Sequence, residues 1–172
     1  MPRDIWVTSD THFNHDNIIK YCDRPFANAD EMNEALIENW NSVVKEGDIV
    51  YHLGDVYMTG NGHLLKKLNG RKRLILGNHD NGKDQILQNI FQKISMWRMF
   101  PEYGLLLTHV PVHESSLFRG TTGNEKKPSQ LKNIHGHIHN KESPKGPYQC
   151  VCVEHTNYTP VHIDILREQN DL

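Results

Sequence analysis

Apolar residues in this chain occur in short runs, and most runs end at a cluster of polar residues. Short runs that are rich in Val, Ile and Leu and bounded by turn-forming residues are typical of buried β-strands. The pattern therefore predicts a series of short strands along the whole chain. These strands are Ile5–Ser9, Asp48–Leu53, Arg73–Leu76, Ile94–Met99, Leu105–Thr108, Lys132–His135 and Tyr148–Glu154.

Helical spacing lies between the early strands. Asn28 and Glu31 have the spacing of a capping box, which satisfies backbone N–H groups at the start of a helix. The apolar residues that follow recur at helical spacing: Met32, Leu36, Trp40 and Val43. Shorter helices are predicted at His63–Asn69, which Gly70 closes, and at Gln85–Phe91. Strands alternate with helices in the first half and dominate the second, so the pattern predicts an α/β layered domain.

Polar residues capable of binding metal follow five of the predicted strands. In order along the chain they are Asp10, His12, Asp55, Asn78, His79, His109, His137 and His139. Any one of these residues alone has an ordinary explanation as part of a turn or a polar surface. In open α/β sheets, however, ligands bind beyond the carboxyl ends of the strands. We therefore expect these side chains to converge on one crevice.

The residue types in this set indicate a particular chemistry. One carboxylate can bridge two cations through its two oxygens, while imidazoles and an amide oxygen fill the remaining positions. Two cations about 3.5–4 Å apart can clamp a phosphoryl group and generate a metal-bound hydroxide that acts as the nucleophile. Such a site needs no serine or cysteine nucleophile, but it benefits from a histidine that protonates the leaving oxygen.

Composition narrows the function classes. The chain has 172 residues, which is about the size of one domain. Its 19 basic and 21 acidic residues are nearly balanced, so no strong overall field points to nucleic acid or a membrane. Twelve histidines are a surplus that metal binding would explain. The three cysteines fit no disulfide framework, and we interpret them as buried thiols. With no apolar stretch of membrane-spanning length, we expect a cytoplasmic protein.

Five sequence blocks resemble the signature of the calcineurin-like metallophosphoesterases. They are "DTH" (10–12), "GD" (54–55), "GNHD" (77–80), "TH" (108–109) and "GHIH" (136–139), and they occur in the family's order. The opening "TSDTHFNHDNII" and the later "YCDRPF" are similar to a small single-domain bacterial and phage branch of that superfamily. The resemblance implies one domain over residues 1–172 and a four-layer αββα sandwich, with two mixed β-sheets flanked by helices.

The resemblance also implies a role for each residue at a dinuclear centre. One metal would be held by Asp10, His12, Asp55 and His139. The other would be held by Asp55, as the bridge, with Asn78, His109 and His137. His79 would be the acid or the transition-state donor, and Asp80 would orient its loop. Histidine, carboxylate and amide donors suit Mn²⁺, Fe, Zn, Co or Ni, and we expect two divalent ions with Mn²⁺ as the first choice.

The chain departs from the phosphoprotein phosphatases of this superfamily in one place. Those enzymes continue after Gly-Asp with a basic stretch that helps bind phosphate, whereas Asp55 is followed here by "VYMTGNG". A phosphoprotein substrate is therefore disfavoured. Residues that could instead meet the substrate are His15, Asn17, Arg24, Lys126 and Lys127. For the histidine and asparagine the alternative is packing behind the ligands, and for the basic residues it is solvated surface charge.

Three functions remain open at this point. The first is a phosphohydrolase for small nucleotide-like esters, with a phosphodiesterase favoured over a monoesterase because a singly charged diester needs less positive charge. The second is a nuclease that acts on DNA or RNA ends. The third is a non-catalytic metal-binding interaction scaffold, against which the presence of His79 and all the expected ligands argues.

Overall fold

The computed structural model describes residues 3–60, 62–119 and 130–168, whose strands form two mixed β-sheets. The strands are β1 (Ile5–Thr8), β2 (Ile49–His52), β3 (Arg71–Ile75), β4 (Lys93–Ser95), β5 (Trp97–Phe100), β6 (Leu105–Thr108), β7 (Lys132–His135), β8 (Tyr148–Cys150) and β9 (Val161–His162). The first sheet has the order β4-β3-β2-β1-β9, and the second has the order β5-β6-β7-β8.

Strand direction brings the carboxyl ends together. In the first sheet β1 to β4 are parallel and only β9 is antiparallel. In the second sheet β6, β7 and β8 are parallel and β5 is antiparallel to β6. A parallel bridge between Ser9 and Cys152, just beyond β1 and β8, joins the sheets where these strands end. The polar residues that follow β1, β2, β3, β6 and β7 therefore share one end of the molecule.

Helices cover the outer face of the first sheet. They are α1 (Asp16–Tyr21), α2 (Ala29–Val43) and α3 (Gln85–Ile90). A fourth helix, α4 (Ile163–Glu168), follows β9 and packs Ile163 and Leu166 into the apolar cluster between the sheets. At the start of α2, Asn28 Oδ1 accepts a hydrogen bond from the Glu31 N–H at 2.9 Å, as the capping pattern predicts. Met32 and Trp40 on this helix are fully buried, and each such burial stabilises the fold by about 1.5–3 kcal/mol. Within the described ranges, no helix has the length and hydropathy that crossing a membrane requires.

Three apolar clusters fill the layers. The first lies between the helices and the first sheet, and the second lies between the two sheets, where Val7, Leu53, Ile75 and Leu107 are almost completely buried. The third lies on the outer face of the second sheet and is covered by a 3-10 helix at Glu114–Leu117. This arrangement confirms the predicted layered α/β fold with two mixed sheets.

Two predicted strands differ from the structure in an informative way. The run Ile94–Met99 is two strands, because the chain leaves the first sheet after Ser95 and enters the second at Trp97. The run Tyr148–Glu154 is a strand only to Cys150, and Val153–His155 form a 3-10 turn. Apolar periodicity continues through both changes, so it does not reveal them.

Candidate metal centre

The backbone of the predicted ligands is unusual. Five of the seven lie in the left-handed region with φ between 50° and 73°: Asp10, His12, Asp55, His137 and His139. Non-glycine residues adopt this conformation rarely, at a cost of about 1–3 kcal/mol each. Such strain concentrated on one set of side chains is typical of a functional site.

Two glycines allow the ligand loops to approach each other closely. A Cβ at Gly77 would overlap the carboxylate of Asp55, and a Cβ at Gly136 would overlap Ser9 and the carboxylate of Asp10. The glycines of the "GNHD" and "GHIH" blocks are therefore required by contact with the ligand loops that follow β2 and β1. Without them the loops could not bring their ligands together.

The first group of ligand atoms consists of Asp10, His12 and Asp55, whose donor atoms all lie within 4.8 Å of one another. His12 Nε2 lies 3.8 Å from Asp10 Oδ1 and 3.6 Å from Asp55 Oδ2. His139 Nε2 joins this group at 3.7 Å from Asp10 Oδ1. Both Asp10 Oδ1 and His12 Nε2 are buried, and neither has a hydrogen-bond partner in the described part of the chain. Buried polar atoms are normally satisfied, so a cation among these atoms fits what the structure leaves unpaired.

The second group consists of Asp55, His109 and His137, with the amide of Asn78 beside them. His109 Nδ1 donates to the Leu53 carbonyl at 2.7 Å, so in the neutral form of the ring, which is the form that binds metal, Nε2 is the acceptor. Without a metal, burial would lower the pKa of His109, but the hydrogen bond and charge of Asp55 raise it, and Nε2 carries a proton toward that carboxylate. Nε2 also faces Asn78 Oδ1 at 2.8 Å, and His137 Nδ1 lies 3.0 Å from the same oxygen. Converging acceptor atoms repel one another unless a proton or a cation lies between them. This donor set therefore also fits a divalent metal.

Asp55 belongs to both groups. Its Oδ2 lies 3.6 Å from His12 Nε2 on one side and 3.4 Å from His109 Nε2 on the other. Burial alone would raise the pKa of Asp55, but the hydrogen bond and charge of His109 hold this pKa below its usual value. Burial would likewise raise the pKa of Asp10, and His12, His109 and the Ser9 hydroxyl lower it. Both carboxylates are consequently ionised, as metal ligands must be.

A buried ion pair supports His139 from behind. His139 Nδ1 donates to Glu154 Oε1 at 3.1 Å, which leaves Nε2 free to face Asp10. The same Glu154 oxygen accepts from Arg24 Nη2 at 2.7 Å and from Arg24 Nε at 2.9 Å. Burial would raise the pKa of Glu154, but His139 and the Arg24 charge lower it. A carboxylate that fixes the far nitrogen of a metal-binding histidine is a common feature of metal sites.

The location of Arg24 does not agree with the predicted substrate contact. Its side chain is buried, with 3% of its surface exposed. Nη1 donates to the Thr11 carbonyl at 2.9 Å, and Nη2 donates to the Asp10 carbonyl at 2.7 Å, in addition to the Glu154 bonds. Arg24 therefore holds the loop after β1 in place, and its charge is neutralised inside the protein.

Asp80 ties the loop after β3 to the loop after β2. Its Oδ2 accepts from the backbone N–H groups of Asp55 and Gly77, each at 2.8 Å, and its Oδ1 accepts from that of Val56 at 3.0 Å. The third polar residue of "NHD" thus orients the other two, as the sequence predicts for it.

His52 performs a similar task between the loops that follow β1 and β2. Its Nδ1 accepts from the Gly54 N–H at 3.1 Å, and its Nε2 donates to the Thr11 hydroxyl at 2.9 Å. That hydroxyl donates in turn to the Val56 carbonyl at 2.8 Å. Burial lowers the pKa of His52 to about 4, so the ring is neutral and this chain of bonds is consistent.

The remaining predicted residues have different surroundings. The His79 ring is exposed at 5.8 Å from the His12 ring, centroid to centroid, and makes no hydrogen bond within the described ranges. His15 is half-buried with Nδ1 at 3.2 Å from His12 Nδ1, so it contacts a ligand on the side away from Asp10 and Asp55. Asn17 is exposed on α1. Lys126 and Lys127 lie outside the described residues.

Two buried cysteines lie next to the predicted ligands: Cys152 beside Asp10 and His139, and Cys22 beside His139 and Glu154. Cys152 Sγ donates to Asp10 Oδ2 at 3.3 Å, and burial raises the pKa of this thiol far above neutral pH. Burial likewise raises the pKa of Cys22, near His139 and Glu154, to about 11. In the metal-free protein both cysteines are therefore protonated thiols, and the Cys152 thiol serves as a hydrogen-bond donor to Asp10.

Glu154 is the functional residue that the sequence reasoning missed. It follows the apolar run that contains β8, just as the ligands follow other strands. The same rule of polar residues at strand ends would have found it. A prediction of one continuous strand over Tyr148–Glu154 places this residue inside the strand, whereas the strand ends at Cys150.

Comparison with known proteins gives consistent results. A family model described as calcineurin-like phosphoesterase matches residues 3–168. An uncharacterised protein of Methanocaldococcus jannaschii is 40% identical, over 95% of this chain and 89% of that protein. The Gene 66 protein of Mycobacterium phage L5 is 32% identical, over 78% of this chain and 76% of that protein.

A solved structure shares the fold. The crystal structure of AQ665, a protein of unknown function from Aquifex aeolicus, is 26% identical to this chain and superposes with a TM-score of 0.73. The match covers 98% of this chain and all of that one. The two-sheet arrangement described above is therefore found in a similar protein of the same extent.

Proposed function

This chain belongs to the calcineurin-like phosphoesterase family, and from that premise we propose that it is a dinuclear phosphodiesterase for small nucleotide-like substrates. Family membership supports metal-dependent phosphoester hydrolysis as the class of activity. The observation that carries the dinuclear proposal is the position of Asp55 Oδ2, which lies 3.6 Å from His12 Nε2 and 3.4 Å from His109 Nε2. One oxygen that adjoins both ligand groups is suited to bridging two ions.

Each residue has a defined task in this proposal. Asp10, His12, Asp55 and His139 would hold one ion, and Asp55, Asn78, His109 and His137 would hold the other. Two divalent ions there, with Mn²⁺ as the first expectation, would polarise the phosphoryl oxygens and acidify a water molecule. Glu154 and His52 keep ligands and loops oriented, so the centre is arranged before substrate arrives.

His79 is the proposed proton donor to the leaving oxygen. Its backbone N–H donates to Asp55 Oδ1 at 2.9 Å, which fixes the loop on the bridging residue. Its ring is exposed beside the His12 ring, and within the described ranges that ring is not engaged in a hydrogen bond. A ring nitrogen that is oriented but not occupied can serve as an acid.

The charge around the centre supports a diester over a monoester. A phosphate monoester carries nearly two negative charges at neutral pH, and a diester carries one. Arg24 contacts the loop of Asp10 and Thr11, but Glu154 neutralises it in a buried ion pair. Arg24 therefore contributes little positive electrostatic potential at the place where a dianionic substrate would bind.

The test is hydrolysis of bis-p-nitrophenyl phosphate by metal-free protein supplemented with Mn²⁺, with p-nitrophenyl phosphate and EDTA-treated protein in parallel. We expect Mn²⁺-dependent turnover that is faster on the diester. If neither substrate is hydrolysed with Mn²⁺, Fe²⁺, Zn²⁺, Co²⁺ or Ni²⁺, the proposed activity is wrong and the metal-binding scaffold is the better explanation. Faster turnover of the monoester would overturn the substrate preference alone.

A further inference from the structure

A second cleft opens away from the metal centre, between the two sheets at the edge formed by β4 and β5. Its volume is about 360 Å³, at the lower end of the range for small-ligand pockets. The residues that line it are Tyr51, Arg73, Lys93, Ser95, Trp97, Arg98 and Met99. Three of these are cations, and none is acidic.

The three cations approach the cleft from different strands. Arg73 lies on β3, Lys93 on β4 and Arg98 on β5, and within the described ranges none of them forms an ion pair. Cations gathered in a partly enclosed space repel one another, which raises the free energy of the empty cleft. A bound anion would relieve that repulsion.

Aromatic side chains hold two of the cations in position. Arg73 Nη1 donates to the Tyr51 hydroxyl at 2.6 Å, and its guanidinium lies 5.4 Å from the ring centroid. The Arg98 guanidinium lies 4.7 Å from the centroid of the Phe100 ring. Arg98 Nε is buried and has no hydrogen-bond partner among the residues that the structure describes. An unmet buried donor next to two further cations indicates an absent acceptor.

The cleft is separate from the metal centre. Tyr51 and Arg73 precede Leu53 and Ile75 by two residues on the same face of the first sheet. They therefore lie about 6–7 Å further from the metal-binding loops. Leu53 and Ile75 are almost completely buried and form part of the apolar layer between the sheets.

We propose that this cleft binds a nucleoside monophosphate, with the phosphate on Arg73, Lys93 and Arg98 and the base on Trp97. Two guanidinium groups and one ammonium offset the two negative charges of a phosphate dianion and supply hydrogen-bond donors to its oxygens. Trp97 begins β5 at the rim of the cleft, with 57% of its surface exposed. An exposed indole at the rim is a platform for a base that extends outward from the phosphate. This site is independent of the proposed activity, because it uses no residue of the metal centre.

The test is isothermal titration of the Mn²⁺-loaded protein with AMP, repeated with ribose 5-phosphate, adenosine and inorganic phosphate. Arg98→Gln and Lys93→Gln should each weaken AMP binding about tenfold or more, as expected for one lost charge-assisted hydrogen bond. Arg3→Gln is the matched control, because Arg3 is exposed outside the cleft and its loss should leave AMP binding unchanged. Lys93 is exposed, so its variant tests the site even if Arg98→Gln destabilises the fold.

Asp55→Asn separates the two sites. The proposal is supported if Asp55→Asn still binds AMP. It is also supported if AMP quenches tryptophan fluorescence saturably and Trp97→Phe removes this quenching. AMP binding that disappears in Asp55→Asn would place the ligand at the metal centre and overturn the proposal. Unchanged affinity in both cleft variants would also overturn it. Inorganic phosphate that binds as tightly as AMP would overturn the role of the base.

Discussion

Asp55 is the residue on which the two halves of the candidate centre depend. Its carboxylate adjoins both ligand groups, its N–H donates to Asp80, and its backbone is held at a φ of 56°. A neutral amide at this position would retain the size of the side chain but not the charge that balances two cations. Substitution of Asp55 by Asn therefore tests the charge of the side chain while the size of the side chain stays the same.

Asp55→Asn should lose both metal ions and abolish turnover. The expected result is less than one ion per chain by elemental analysis, with a thermal unfolding midpoint close to that of metal-free wild-type protein. Asp30→Asn, at an exposed carboxylate on α2, is the control and should keep its metal. Two fully bound ions with near-normal activity would show that Asp55 is not the bridge.

His79→Ala should keep the metal ions and lose activity. A positioned proton donor contributes about 10²–10⁴-fold in rate, so kcat should fall within that range for a substrate with an alkoxide leaving group. The loss should be smaller for a nitrophenol leaving group, which needs little protonation. Comparing the two substrates at equal metal content checks the role. If the variant instead loses its metal, His79 is a ligand.

Glu154→Gln should weaken metal binding without touching the metal directly. The change replaces the carboxylate that accepts from His139 Nδ1 with a neutral amide, which is a weaker acceptor. Mutation of such an outer partner typically costs about 10–100-fold in metal affinity. It also leaves Arg24 buried without its counter-ion, so unfolding free energy should fall by about 3–5 kcal/mol. Competition with a metal chelator and urea unfolding of the metal-free protein measure the two effects separately.

Glu142→Gln is the matched control for Glu154→Gln, because Glu142 is exposed and lies in the loop between His139 and β8. It should change neither quantity. Wild-type metal affinity in Glu154→Gln would mean that the ion pair of Glu154 and Arg24 stabilises the fold but does not orient His139.

At the scale of elements, the loops after β2 and β3 behave as one unit because Asp80 joins them. Asp80→Ala would leave three backbone N–H groups without their acceptor, on Asp55, Val56 and Gly77. Leaving a buried donor unsatisfied costs about 1–3 kcal/mol, so metal-free Asp80→Ala should unfold at lower denaturant concentration. Chemical denaturation followed by circular dichroism measures this. Equal stability would mean that water replaces the carboxylate.

The elements also show which features the sequence could predict. Leu105–Thr108 is a strand with the predicted bounds, because a continuous apolar run buried on both faces is distinctive. Lys132–His135 also has the predicted bounds, although Ile134 is its only apolar residue. Polar residues that directly follow the predicted strands were expected to converge, and the seven predicted ligands do lie at one end of the molecule. The passage of the chain from the first sheet to the second, between Ser95 and Trp97, could not be predicted from the apolar pattern, because both sheets bury apolar residues.

The role of Arg24 could not be predicted because it depends on a distant contact. Arg24 and Glu154 are 130 positions apart, and only the folded chain brings their charges together. The local sequence around Arg24, "YCDRPF", is the same whether the arginine faces substrate or a buried carboxylate. Long-range ion pairs of this kind leave no periodic pattern in the sequence.

At the scale of the whole molecule, nearly balanced charge favours the proposed small-substrate enzyme over a nuclease. The net charge is −2, and the basic cleft at the β4–β5 edge is a local feature rather than a continuous groove. Binding of a single strand weakens with salt in proportion to the phosphates contacted, with a log–log slope of about −0.7 per phosphate. A singly charged diester makes one such contact.

We therefore expect kcat/KM for bis-p-nitrophenyl phosphate to fall less than about threefold between about 50 and 200 mM salt. A much steeper fall, together with rates on oligonucleotides far above those on small diesters, would identify the protein as a nuclease.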